Sequence, residues 1–172
     1  DFYLGGLKKR QKSHGGWGYD AKPTGDTSQT QYGALSYWEA HRNGFSIDAS
    51  SSAQLADWLV RTQGPAGEWG YQGELAPPGA GPVEQSEVTC SMGAAAMGSA
   101  LITADLFGLL VPQGADQATV EVASSALKVP GEKERPKAKP LSKGSLKQQE
   151  LFKAIQRGNG WMEKNYKADI GK

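Results

Sequence analysis

The sequence predicts an all-α fold of paired antiparallel helices repeating about every 52 residues. Three observations predict it: a motif that returns in register at that spacing, apolar positions at helical spacing before the motif, and a small-residue helical pattern after each copy. A chain of 172 residues suits one domain with a real core. Removing tyrosine from the hydrophobic count and adding glycine gives about 48% apolar residues, ordinary for a globular protein, which argues against wholesale disorder.

The motif comes first in the argument. Gln11, Gly15, Trp17, Gly18 and Tyr19 recur as Gln63, Gly67, Trp69, Gly70 and Tyr71, five identities at one offset. Before the second copy, Leu55, Trp58 and Leu59 stand at i, i+3, i+4, with Ser50, Ser51 and Ser52 as candidate N-caps. After the first copy a helix is expected over 26–43, capped by Asp26, Thr27 or Ser28 and ended by Gly44. Its partner is expected over 87–107, ending at Gly108, with Thr30 aligned on Cys90 once the second loop is eight residues longer. A third unit begins with the helical stripe Leu151, Ile155 and Met162 over 151–166. There Trp161 follows Trp58 by close to twice the repeat. The expected organisation is two helical-hairpin repeats over 1–110, a Pro- and Lys-rich insertion or linker over 111–147, and the start of a third repeat over 148–172. The stretch 128–147 is expected to be exposed, since Pro130, Pro136 and Pro140 break any pattern and lysines dominate it. The chain then starts and stops inside a repeat, which makes it an arc of a longer array.

Composition excludes some partners. With 19 Lys+Arg against 18 Asp+Glu, the balance lacks the basic surplus that nucleic acid or an anionic membrane requires. The apolar stretch 93–111 carries Asp105, Ser99 and Thr103, so it reads as a buried helix and not as a membrane span. A lone cysteine, Cys90, excludes an internal disulfide and a Cys-rich zinc site. Residues 1–10 contain no signal-peptide core, which leaves localisation open with the cytoplasm slightly favoured.

Trp58-Leu59 followed by Gln63 and Gly67-Glu68-Trp69 resembles the QW repeat of squalene and hopene cyclases and the related repeat of protein prenyltransferase β subunits. Gly15-Gly16-Trp17-Gly18 and Asp26-Thr27-Ser28-Gln29-Thr30 are similar to the same family's loop and inner-helix start. The likeness spans about 1–108 and, more weakly, 147–168. It implies an incomplete α/α toroid in which Gln11, Trp17, Gln63 and Trp69 tie helix ends together. It also implies a helical cavity for an apolar isoprenoid-type small molecule, with Asp26, Tyr32 and Cys90 as cavity candidates. An amide offers two donors and an acceptor for helix-terminal groups, and an indole face covers it, so these four residues read as scaffold.

Chemistry is harder to find. The D-x-D-D acid string of the cyclases is absent, and an isolated Asp lacks the neighbours that hold an acid protonated. A prenyltransferase-like zinc site would draw on Cys90, Glu87 and His14 or His41, but Val88 stands where the family has Asp, which argues against zinc. Ser28, His14 and Asp26 can be written as a triad, yet no G-x-S-x-G elbow carries them. No cofactor is expected. The leading expectation is a repeat protein of this type that binds an apolar ligand, with no catalytic group in the segment and with further repeats or self-association completing the arc. The alternative is a non-catalytic helical repeat that binds a protein or a glycan.

Overall fold

The structure, a computed structural model, describes residues 2–77, 80–110 and 138–166. Helix dominates, and the all-α expectation holds in that form. The elements are α1 (Phe2–Arg10), β1 (Gly25–Asp26), α2 (Thr27–Arg42), α3 (Ala49–Arg61), β2 (Gln72–Gly73), α4 (Cys90–Leu106) and α5 (Gln148–Asn165). β1 and β2 form a two-residue antiparallel bridge, Gly25 opposite Gly73 and Asp26 opposite Gln72.

Local chemistry sets the helix ends. Asp26 caps α2 by accepting from the Gln29 amide, and Gly44, at φ 81°, turns the chain after it. α3 is capped by Asp48, which accepts from the Ser50 amide, and not by the serines the sequence suggested. Those serines are used inside the helix: Ser51 Oγ donates to Asp48 and Ser52 is fully buried. α4 begins three residues later than expected, because Glu87 has φ 52°, a left-handed backbone that a helix cannot contain, and Thr89 supplies the cap. The caps Asp26 and Thr89 therefore set Cys90 against Thr27, and not against Thr30.

α2 and α4 pack side by side as one layer, and α3 and α5 back them. The small residues Ala95, Ala96, Ala100 and Ala104 of α4 are buried, which brings helix axes close. The interleaved Ser99 and Thr103 satisfy their hydroxyls on carbonyls one turn back. Trp58 of α3 is fully buried at the centre, where a Cβ on Gly16 or Gly25 would lie within 2.7 Å of its ring. α1 sits at the edge and buries none of its own residues.

The stretch expected to be an exposed linker lies partly outside the described residues. Within 138–147 most residues are exposed, in line with that expectation, and the stretch is also pinned at several points. The Lys139 carbonyl bonds with His41, the Leu141 amide donates to the Leu106 carbonyl, Leu146 is buried, and Lys147 meets Asp57 at 2.8 Å. This segment ties the C-terminal ends of α2 and α4 to α3. Its two leucines are too far apart to announce an element by periodicity.

Candidate functional site

The repeated motif builds the same contacts twice. Gln11 Nε2 donates to the Gly15 carbonyl at 2.7 Å and to the Ser51 carbonyl of α3 at 2.9 Å. Gln63 Nε2 donates to the Gly67 carbonyl at 3.0 Å and to the Ala154 carbonyl of α5 at 2.8 Å. Each amide thus closes its own loop and reaches a carbonyl inside the next back-layer helix. Trp17 Nε1 donates to the Leu7 carbonyl at 2.9 Å, and Trp69 Nε1 to the Leu59 carbonyl at 2.8 Å. Those carbonyls lie in the last turns of α1 and α3, and the Leu7 carbonyl also accepts from the Gln11 amide at 3.2 Å. The indole, more than the amide, serves the helix end.

Gly15 and Gly67 make both loops feasible. Their φ values are 102° and 101°, and a Cβ would strike the Gln54 carbonyl in the first case and lie 2.5 Å from the Arg157 carbonyl in the second. The units are then joined to each other through the start of α2. The Thr27 amide donates to the Tyr71 carbonyl at 2.9 Å, and Thr27 Oγ1 to the Gly70 carbonyl at 2.6 Å. Asp26, fully buried, accepts from Gln29, Ser28 and Gln72. Beside it the hydroxyls of Tyr19 and Tyr71 meet at 3.2 Å. The hydrogen bond to Tyr19, then the Asp26 charge, pushes the Tyr71 phenol up to about 12.

The sequence-predicted site residues do not converge. Asp26 is spent on capping and on the inter-unit bridge. Tyr32 stands on the open side of α2, 70% exposed. Cys90 is the first residue of α4, half-buried and not enclosed, and its thiol points at the Asn165 carbonyl 3.7 Å away. Ser28 donates to Asp26 at 2.6 Å, while His14 bonds with the Pro23 carbonyl and the Gly16 amide and stacks on Trp58. The triad is therefore not assembled. His41 bonds with the Lys139 carbonyl, and among the described residues no three His, Cys, Asp or Glu side chains form a metal-sized cluster. No described helix is long and apolar enough to cross a membrane.

Three features escaped the sequence reading. Lys12 directs its ammonium at the carbonyls of Tyr19, Lys22 and Thr24, fixing the first loop as a tethered cation. Gln85 clasps Glu74 with both ends of its amide, accepting at 3.0 Å and donating at 2.9 Å. A recess of about 870 Å³ opens between α1 and the second half of α2, lined by Phe2, Tyr3, Leu4, Leu7, Ala40 and Phe45 among others. Only the recess had a usable signal, the aromatic start of the chain; single Lys and Gln side chains in loops have none. The open sides of α2 and α4 also leave apolar side chains uncovered, with Leu101 39% exposed and Ala94 beside it on the same stripe.

No protein-family model matches the chain, and no curated protein or solved structure matches it either.

Proposed function

We propose that this chain is an arc of an α/α toroid resembling the squalene-cyclase and prenyltransferase repeats, and that it holds an apolar isoprenoid-type ligand. In this reading α2 and α4 are the inner wall, and α1, α3 and α5 the outer one. The supporting observation is the duplicated bracket of Gln, Gly and Trp, which spends every motif residue on architecture and leaves the open sides of α2 and α4 for a ligand. Tyr32, Ala94 and Leu101 supply apolar and aromatic surface there, and a face of that kind takes a hydrocarbon without directional chemistry. No catalytic role is assigned to any described residue.

The test is titration of the purified chain with farnesol and geranylgeraniol, followed by calorimetry and by intrinsic tryptophan fluorescence. Saturable binding that weakens at least tenfold in Leu101→Asp, with the melting temperature little changed, supports the ligand reading. Absence of saturation, or binding indifferent to Leu101→Asp, sinks it and leaves a helical scaffold for a protein or a glycan.

A further inference from the structure

The two loops of the motif differ at a matched pair of positions, and the difference leaves one loop with a charge that nothing balances. The Lys12 amide donates to the Gly16 carbonyl at 2.9 Å and the Gly64 amide to the Glu68 carbonyl at 2.8 Å, so Lys12 corresponds to Gly64 and Gly16 to Glu68. The first loop carries its positive charge on a side chain, the Lys12 ammonium that bonds three loop carbonyls. The second lacks that ammonium and holds a carboxylate instead. The carboxylate takes the room that a side chain at position 64 would need, since a Cβ on Gly64 would strike Glu68 Oε1 and the carboxyl carbon.

This carboxylate is folded into the loop. Glu68 is 6% exposed; among the described residues its Oε2 has no hydrogen-bond partner and the side chain has no ion pair. Arg157 of α5 reaches the same loop but directs Nη2 at the Gly64 carbonyl, 2.6 Å away, and at the Pro65 carbonyl, 3.5 Å away. A second oxygen of the loop, Gln63 Oε1, is also buried without a partner among the described residues, while Gln63 Nε2 closes the loop on the Gly67 carbonyl, next to Glu68. A buried ionised carboxylate is costly unless an opposite charge stands beside it. A water molecule would bring hydrogen bonds to these oxygens but no charge. Pro65 and Ala66, at the tip of the loop, are exposed, which gives an ion from solvent a short way in.

We propose that the second loop binds an alkali cation, sodium or potassium, with the Glu68 carboxylate as its anionic ligand and Gln63 Oε1 as a neutral one. An all-oxygen donor set suits a hard cation and not zinc or copper. One carboxylate balances one positive charge. A divalent ion would leave a surplus charge in a dry site, and among the described residues no cluster of acidic side chains forms to hold one. The bound ion holds Gln63 and Glu68, the two ends of the loop, as Lys12 holds the first loop. This site is separate from the open sides of α2 and α4, so it stands or falls independently of the apolar-ligand reading.

The experiment is thermal unfolding of the full chain in tetramethylammonium chloride, with sodium or potassium chloride substituted stepwise at constant ionic strength. An ion bound by the folded state alone raises the melting temperature along a saturable curve, by roughly 5 °C once it exceeds its dissociation constant a hundredfold. Glu68→Gln keeps the shape of the side chain, removes its charge and abolishes the rise. Gly64→Lys combined with Glu68→Gly rebuilds the first loop's pair of residues in the second, and that variant unfolds without regard to the cation. Sodium NMR on the parent chain reads binding without relying on any variant, as a broadening of the ion's resonance that excess potassium reverses. Equal melting temperatures in tetramethylammonium and in both alkali salts, a rise that survives in Glu68→Gln, or a response to calcium chloride alone overturns the proposal; the first of these leaves only a buried water at Glu68.

Discussion

The two copies of the motif share a backbone and differ in surroundings. In the first, at the edge of the molecule, Gln11 is half-buried and its carbonyl oxygen receives the Tyr37 hydroxyl at 3.5 Å, a long contact. In the second, Gln63 and Trp69 are almost wholly enclosed, and among the described residues Gln63 Oε1 has no hydrogen-bond partner. α4 brings no free hydroxyl to it, because the two hydroxyls on its buried face, Ser99 and Thr103, bond back to their own helix. The first loop is held by Lys12, but Gly64 occupies the equivalent position in the second, and Arg157 of α5 donates to the Gly64 carbonyl at 2.6 Å instead. The lesson is that Gln, Gly and Trp are the repeating machine parts. Each copy recruits whatever neighbour its surroundings supply.

The largest effect that could break this comparison is removal of the indoles. Trp69→Ala deletes a fully buried ring that lies against Gly158 of α5, and an expected loss near the top of about 3–5 kcal/mol follows from transfer plus cavity. Trp17→Ala, at the edge and with Tyr37 able to relax into the gap, should cost roughly 1 kcal/mol less. Chemical denaturation of the two variants measures both. Equal losses would mean that the difference in surroundings does not matter to the motif.

A smaller effect comes from the amides. Gln63→Ala strands the Gly67 carbonyl in a dry site and should cost about 2 kcal/mol, whereas Gln11→Ala opens a loop nearer to water and should cost about 1 kcal/mol. The same denaturation series checks it. A larger loss at Gln11 would show that the Tyr37 contact, long as it is, carries more than its geometry suggests.

The legible parts of the fold are those written in local chemistry or repetition. The five motif identities located both loops, Asp26 marked the start of α2, and Gly44 and Gly108 marked helix ends, because caps and left-handed turns need particular residues. α1 was not legible, since two adjacent glycines erase helix propensity and the apolar side chains around them serve an open recess. The start of α4 was hidden as well: Glu87 has a left-handed backbone, and nothing in the residue announces it. Among the candidate site residues, Asp26 drew attention by its position, yet its capping and bridging partners, Gln72 above all, depend on a pairing between units that sequence spacing does not reveal.

The smallest expected effect separates the two loops by pH. His14 belongs to the first loop only; Ala66 stands at its place in the second. Its Nδ1 accepts from the Gly16 amide at 3.2 Å and its Nε2 pairs with the Pro23 carbonyl at 3.2 Å, an arrangement suited to the neutral ring with its proton on Nε2. Burial, then the positive charges of Lys12 and Arg61, holds its pKa below the ordinary histidine value, against the opposing pull of the Pro23 carbonyl. The unfolded chain therefore binds a proton first as pH falls. Stability from this group is intact above the ordinary value of 6.5 and declines as pH drops through it toward the lower folded value. Asp48, held below the ordinary carboxylate range by Lys8, adds a separate decline that begins only near 3.8. Melting temperatures measured from pH 8 to pH 3 should fall in two stages, and His14→Gln should flatten the upper stage alone. A variant whose upper stage matches the parent would place the titration elsewhere and remove this distinction between the two copies.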